Sequence, residues 1–376
     1  MNLGLIRLRH FRNHTDTTIR FAPGTNVLLG QNGEGKTNIV EAVSYLSLTK
    51  SFYAANDATA CQLGAENFDV EGIILSDAGI EHHMRVAYDR QQGEKVCTVN
   101  HARPESLSSV VGRFPIVILS PENSAITFGG PADRRRFMDM VLSQLSRLYL
   151  EDLLEYRRAI RQRNRILGEM RVTGSRQGPE LEPWTLSIVR YGSRIIQRRL
   201  AFVHEFKRPL LDSYRKITGA DEVPGVSLTT VDGLDPEANV EEIEIRMSER
   251  IGEVCGEEIR RGLSLVGPHR DDLALTLNGN NLQRYASQGQ HKTMLIALKM
   301  AEFVLMGEQR NEAPIFILDD VFSELDEQRS RNLISIIREC GQTIITSTEE
   351  SRFHSAMQWN SQNKRFKVRN GICTEA

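Results

Sequence analysis

The sequence predicts an α/β fold in which a βαβ core and an antiparallel β-sheet are interrupted by an inserted, largely helical lobe. Three observations predict it. Thr25-Asn26-Val27-Leu28-Leu29 reads as a short buried strand that turns through a glycine-rich loop into 38–48, where Ile39, Val40, Ala42, Val43 and Leu46 have the spacing of a helix packed on one side. Period-two stretches recur between 63 and 101, the mark of a half-buried antiparallel sheet. Beyond Gly129-Gly130-Pro131 the period changes to that of helices and stays so to about 217.

Taken in order, Leu3-Gly4-Leu5-Ile6-Arg7-Leu8 and Thr17-Thr18-Ile19-Arg20-Phe21 are β-prone runs on either side of a polar turn, and Pro23-Gly24 leads into the buried strand. Phe68 to Leu75, His83 to Tyr88 and Val96 to Val99 form a meander, with turns at Asp77-Ala78-Gly79 and Gln92-Gly93. Phe114 to Leu119 is one more buried strand, ended by Pro121. One long helix is expected over 134–170 and a second over 183–217, broken by Gly174-Ser175-Arg176-Gln177-Gly178-Pro179, which makes an antiparallel arm. A strand at 226–231, an acidic helix over 236–261, a hairpin at 273–280 and a helix over 290–306 follow. The wholly apolar strand Ile315-Phe316-Ile317-Leu318, a helix over 327–340 and the strand 342–346 complete a β-α-β pattern.

At 376 residues, 40% hydrophobic and 26% charged, the composition is that of an ordinary globular protein. No signal pattern and no apolar run of membrane-spanning length occurs. Five scattered cysteines without a C-x-x-C pair argue against a zinc site and for a reducing compartment, so a soluble cytoplasmic protein is expected. The net charge of −2 hides an asymmetry. Residues 134–216 hold 19 Lys and Arg against 9 Asp and Glu, whereas 221–258 hold 12 acidic residues against two arginines. The basic stretch is either a surface facing a polyanion or a helical pair whose arginines bond carboxylates and water.

Gly30-Gln31-Asn32-Gly33-Glu34-Gly35-Lys36-Thr37 fits the phosphate-binding loop G-x-x-x-x-G-K-[ST], in the strand–loop–helix setting that the motif requires. Its glycines let backbone N–H groups turn towards phosphate oxygens, and the helix N-terminus adds partial positive charge. Lys36 is placed to reach the β- and γ-phosphates, and the Thr37 hydroxyl is the expected Mg²⁺ ligand. Asp319 and Asp320 end a buried strand. Asp319 is thereby expected beside the metal held by Thr37, and Asp320 in position to polarise an attacking water. Ala286-Ser287-Gln288-Gly289-Gln290 opens a helix and offers a second anion-binding cap. Two such caps in one chain suit a nucleotide held between two subunits.

The order of phosphate loop, Ser287-Gln288-Gly289-Gln290, Leu318-Asp319-Asp320 and Ser323-Glu324-Leu325-Asp326 resembles the ABC-type ATPases of the SMC and Rad50 group. Within that group the chain is similar to the RecF family, through Phe11-Arg12-Asn13, Asn38 with Glu41-Ala42, Pro131 with Arg134-Arg135-Arg136-Phe137, Gln162-Arg163-Asn164 and Gly267-Pro268-His269-Arg270-Asp271-Asp272. The resemblance implies an ABC-ATPase-like head, divided between 1–125 and 263–376 by a helical lobe at 126–262. It implies a homodimer formed on ATP, in which Gly30 to Asn38 of one subunit bind ATP and Mg²⁺. Ser287, Gly289 and Gln290 of the other would meet the γ-phosphate, and Ser323 to Asp326 would cross between the sites. It further implies ATP-dependent DNA binding in recombinational repair and replication restart at single-strand gaps. A weak, DNA-stimulated ATPase would time release, with RecR and RecO as partners and RecA loaded afterwards.

Two departures from the family pattern stand out. Asp320 replaces the usual glutamate, and a carboxylate one carbon shorter predicts slow hydrolysis. No glutamine lies near Ser120-Pro121-Glu122 to sense Mg²⁺, which leaves Glu122 as its substitute, and Ser347 or Thr348 stands where a switch histidine is usual. The DNA-facing surface is expected among Arg134, Arg135, Arg136, Arg157 and Arg161, acting on phosphates, with Arg135 and Arg136 equally open to a structural role. The alternatives are the cytoplasmic ATPase of an ABC transporter, which would carry Leu-Ser-Gly-Gly-Gln and a catalytic Glu, and a phosphate-loop kinase, which leaves the second cap unexplained.

Overall fold

The structure, a computed structural model, describes residues 1–53, 56–175, 180–219, 221–354 and 357–376. It divides into two compact units: Met1–Ser124 with Asp212–Asp221 and Lys292–Ala376, and Ala125–Leu211 with Glu222–His291. Among the described residues no helix is long and apolar enough to cross a membrane.

The first unit holds two sheets. One is antiparallel, in the order His14–Arg20, Asn2–Phe11, Asn67–Leu75, Glu81–Asp89, Glu94–Val99. Alternation decides which side chains it buries: Phe68, Val70, Gly72 and Ile74 of one strand point inward together. A register shift between Leu3 and Leu5 keeps both Leu3 and Ile6 in the core, although they are three residues apart. The other sheet runs Ile372–Glu375, Lys364–Arg369, Thr25–Leu29, Thr343–Ser347, Ile315–Asp319, Ile116–Leu119. Every neighbouring pair in it is parallel except the first two strands, a C-terminal hairpin absent from the sequence-based expectation. Three of its central strands are buried along their whole length, as parallel strands covered on both faces must be.

Helix Lys36–Leu48 contacts strands of both sheets. It is buried from Ile39 to Leu48 on every side, not on one, because it lies between two sheets rather than upon one. Tyr45 meets Phe11 and Phe68 edge-on, at 5.6 and 5.2 Å between ring centres, and ties this helix to the antiparallel sheet.

The second unit is mainly helical, with a three-stranded sheet in which Asp272–Leu277 pairs with Pro224–Thr229 and with Asn280–Asn281. The stretch 263–291, grouped in the sequence reading with the C-terminal head, lies in this unit. The single helix expected over 134–170 is two, Pro131–Leu145 and Arg147–Thr173. Ser146 separates them: its backbone is extended and its hydroxyl accepts from Tyr149 N, so it ends one helix and caps the next. Arg147–Thr173 runs antiparallel to Leu181–Thr218, since Tyr149 bonds Arg199, Asp152 bonds Arg194 and Arg163 bonds Thr185. Gly174 ends the first in a left-handed turn, and 176–179 of the expected break lie outside the described residues. Val240–Arg261 opens on a reciprocal Asn239–Glu242 cap, and Ile243, Met247 and Ile251 form its buried stripe.

Arg163 and Glu258 sit inside this unit at 1% and 0% side-chain exposure, 2.6 Å apart. Their other polar atoms are met by Thr185, Ser264 and Leu265 N. Such a pair is costly to break from one side. Glu258→Ala is expected to destabilise the protein by about 3–5 kcal/mol in urea unfolding, and joint replacement of Arg163 and Glu258 by apolar residues to recover much of that loss. Tyr156 donates to His269 Nδ1 at 2.6 Å, and His269 Nε2 donates to the Ser264 carbonyl at 3.1 Å. Burial, above all, pushes His269 down to about 4. The unfolded chain therefore binds this proton first, so the stability His269 contributes is complete above about pH 6.5 and is lost as pH falls towards 4. Unfolding free energies measured across that window are expected to fall in the wild type and to fall less in His269→Gln.

Candidate nucleotide-binding site

The phosphate loop joins the C-terminal end of strand Thr25–Leu29 to the N-terminus of helix Lys36–Leu48, so its N–H groups gather at the C-terminal edge of the parallel sheet. Gln31, Asn32 and Gly33 are exposed, while Gly35 and Lys36 are buried. Gly35 caps the helix with φ 110°, and a Cβ there would stand 2.5 Å from Asn13 Oδ1 and 2.9 Å from His14 Nε2. Only glycine fits. Gly30 is required for another reason: a Cβ on it would meet the Val368 carbonyl oxygen at 2.3 Å. Lys36 Nζ donates to the Gly30 and Gln31 carbonyls at 2.7 and 2.8 Å, curled over its own loop. Burial lowers its pKa, against the opposing pull of Asp320, Asp319 and Glu34.

Two chain ends hold the loop in shape. Asn13 Nδ2 donates to the Glu34 carbonyl at 3.0 Å, and Asn38 Nδ2 donates back to Asn13 Oδ1 at 2.8 Å. Gly371 N donates to the same Glu34 carbonyl at 3.0 Å, and the Glu34 carboxylate accepts from Asn370 N. His14 is wholly buried, with Nε2 3.1 Å from the Gly35 carbonyl and Nδ1 3.1 Å from Thr17 Oγ1. Burial depresses its pKa against the opposing bonds to Gly35 and Gly371, and Nε2, which faces a carbonyl, is the donor to Gly35. Arg12 forks onto Glu41 at 2.7 and 2.8 Å and fixes the hairpin that carries Asn13 and His14 against the helix. Of these residues Arg12, Asn13, Asn38 and Glu41 stand out in the sequence through the motifs shared with the family, while His14 and the Asn370-Gly371 turn do not.

Asp319 closes the site from the neighbouring strands. Thr37 Oγ1 donates to Asp319 Oδ1 at 3.0 Å, and Thr346 Oγ1 donates to the same oxygen at 2.7 Å. Burial raises the Asp319 pKa, and those two hydroxyls work against the rise. Asp320 has φ 51°, a strained value for a non-glycine residue, and its N–H donates to Thr346 Oγ1 at 2.9 Å. The bend turns the chain sharply after Asp319. Glu122 lies at the exposed start of a short 3₁₀ turn, and its carboxyl is pushed up by partial burial and then by the charges of Asp319 and Glu41. Ser347 Oγ bonds within its own turn, to Glu349, while its carbonyl accepts from Gly30 N at 3.3 Å. Among the described residues no cluster of three or more His, Cys, Asp or Glu could hold a metal. Thr37 and Asp319 supply two hard oxygen donors, which suits an ion such as Mg²⁺ that keeps most of its shell as water and phosphate.

Ser287, Gly289 and Gln290 belong to the second unit. Ser287 is exposed and caps helix Gln288–Arg310: Gln290 N donates to Ser287 Oγ at 3.3 Å, and Ser287 N donates to Gln290 Oε1 at 2.8 Å. Gln290 Nε2 donates to Glu222 at 2.6 Å. Of the arginines expected at a DNA-facing surface, Arg134 is a correction. It is 4% exposed, forks onto Asp272 at 2.7 and 2.9 Å and donates to the Gly129 carbonyl, so it has no free face to offer a phosphate. Arg163 and Arg199, inside the basic stretch, are likewise buried and paired with carboxylates. Arg135 is half-buried; Arg136, Arg157 and Arg161 are exposed.

A family model described as the RecF/RecN/SMC N terminal domain matches residues 2–374. The DNA replication and repair protein RecF of Chloroherpeton thalassium is 42% identical over 95% of this chain and 98% of its own length. That of Salinibacter ruber is 38% identical over 100% and 92%. Among solved structures, the recombination mediator protein RecF-ATPrS of the RecFOR pathway superposes with a TM-score of 0.90 at 28% identity, covering 100% of this chain and 98% of that one. The Smc head bound to the C-winged helix domain of ScpA superposes with a TM-score of 0.55 at 13% identity and shares the fold. With its phosphate loop, its Asp-bearing strand and its full-length match to these proteins, the chain belongs to the RecF family of DNA replication and repair proteins.

Proposed function

We propose that this protein is an ATP-gated, DNA-binding homodimer of recombinational repair, with slow ATP hydrolysis as its release step. The observation that carries the reading is the 3.0 Å approach of Thr37 to Asp319 beside a buried Lys36, an arrangement that would cradle a phosphate and a metal ion. Gly30, Gln31, Asn32, Gly33, Glu34, Gly35 and Asn38 would surround the triphosphate with Lys36 and Thr37. Lys36 would exchange its two carbonyl partners for phosphate oxygens, a trade of neutral acceptors for charged ones. Thr37 and Asp319 would hold Mg²⁺, which when bound supplies neutralisation of charge on the phosphate oxygens. Asp320, one bend further on, would orient the attacking water and draw its proton.

Ser287, Gly289 and Gln290 would complete the site from a second copy. Exposure of Ser287 at a helix N-terminus supports this, because the positive end of a helix dipole at the surface favours an anion. DNA would be held through its phosphates by Arg135, Arg136, Arg157 and Arg161. RecR and RecO are the expected partners, with RecA loaded afterwards. The transporter reading has no support in a chain related over 95% of its length to a RecF protein.

Sedimentation with ATP and Mg²⁺ tests the reading. Wild type is expected to dimerise and Lys36→Met to remain a monomer. Asp320→Asn keeps a residue that tolerates positive φ, so it is expected to dimerise normally while hydrolysis falls roughly 10²-fold or more. A Lys36→Met protein that dimerises like wild type would overturn the proposal.

A further inference from the structure

The motifs 131–137 and 267–272 take no part in the nucleotide site, yet they line one cleft. It holds about 270 Å³ and lies within the second unit, walled by the first turns of Pro131–Leu145, the middle of Arg147–Thr173 and the Pro268-His269 loop. Four arginines reach it: Arg135, Arg136, Arg157 and Arg199. The two carboxylates beside them, Asp139 and Asp271, are already committed. Asp139 accepts from Arg199, Tyr149 and Arg157 at 2.7, 2.7 and 3.0 Å. Asp271 accepts from Arg199 and Thr230, each at 2.7 Å. Among the described residues Arg135 donates to a backbone carbonyl, that of Asp271, at 2.6 Å, and to no carboxylate. Arg136 has no hydrogen bond or ion pair to any described residue.

We propose that this cleft is the seat of one phosphate group of a DNA strand, gripped by the guanidinium groups of Arg135 and Arg136 with Arg157 at its side. Resting on the DNA-binding reading above, it assigns the sequence-independent part of that binding to one built position. The chemistry selects the ligand. Two guanidinium groups without carboxylate partners, in a partly desolvated recess, call for a compact oxyanion. Among the described lining residues there is no Asn or Gln to read a base edge, and the only carboxylate, Asp139, already accepts from two arginines and a tyrosine, so an anion is better served than a base or a cation. Burial and the neighbouring charge of Arg199 press Arg135 below the ordinary arginine value, as expected of a cation waiting for its counter-charge. His269, fixed between Tyr156 and Ser264, stays neutral at physiological pH and adds no charge of its own.

Two measurements on the full-length protein test this. In the first, duplex DNA affinity is titrated against NaCl with ATP and Mg²⁺ for wild type, Arg136→Gln and Arg135→Gln. Arg147→Gln, an exposed arginine outside the cleft, makes the same change of charge as a control. Each cleft variant is expected to bind about tenfold or more weakly whatever the DNA sequence, with a salt slope shallower by about one, and Arg147→Gln to match wild type. In the second, the ³¹P linewidth of inorganic phosphate is followed with the nucleotide site saturated by ADP. Broadening by wild type and its loss in Arg136→Gln are expected. This arm needs no DNA, so it separates failure of the cleft from failure of the DNA-binding reading. Equal slopes for Arg136→Gln and Arg147→Gln, or equal phosphate linewidths for wild type and Arg136→Gln, would overturn the inference.

Discussion

The Thr37–Asp319 hydrogen bond joins two parts of the chain 282 residues apart, and the site depends on it. It exists because strands Thr25–Leu29 and Ile315–Asp319 flank the same strand, Thr343–Ser347, and run parallel. Parallel register brings their C-terminal ends to one edge, where Asp319 lies opposite Thr346 and Ser347 opposite Leu29. Thr346, between them, binds Asp319 with its hydroxyl and receives the Asp320 N–H. One threonine thus sets both the carboxylate and the bend that follows it. Burial raises the Asp319 pKa, and the hydroxyls of Thr346 and Thr37 oppose that rise.

The helical unit uses charge in two ways. Arg134, Arg163 and Arg199 are interior residues, each matched to a carboxylate far away in sequence: Asp272, Glu258, and Asp139 with Asp271. Others of the basic stretch, Arg135, Arg136, Arg157 and Arg161 among them, lie closer to solvent. A basic stretch that looks uniform in sequence is therefore part scaffold and part surface.

Much of the candidate nucleotide site is legible because its motif carries its own geometry. Glycine spacing, Lys36 and Thr37 define a loop before a helix, and an apolar strand ending in Asp319 has one natural place in a parallel sheet. The antiparallel meander and the arm were legible from period alone. Other features were not. Ser146 splits a helix whose apolar spacing runs through it, since a local cap leaves the period unchanged. The C-terminal hairpin escaped notice although Arg365-Phe366-Lys367-Val368-Arg369 alternates and Asn370-Gly371 is a strong hairpin turn. Its turn grips Glu34 through Asn370 N and Gly371 N. His14 and Arg134 show the harder limit: whether a polar residue is buried with a partner depends on contacts that no local pattern encodes.

The central claim is that one triphosphate is clasped by two copies of this chain, with Lys36 from one and Ser287 from the other. Mixing two inactive variants tests it most directly. Lys36→Met and Ser287→Arg should each fail to hydrolyse ATP alone. Mixed in equal amounts, they should regain hydrolysis, because a mixed dimer pairs the intact Lys36 of one copy with the intact Ser287 of its mate. A mixture as inactive as its components would contradict the account.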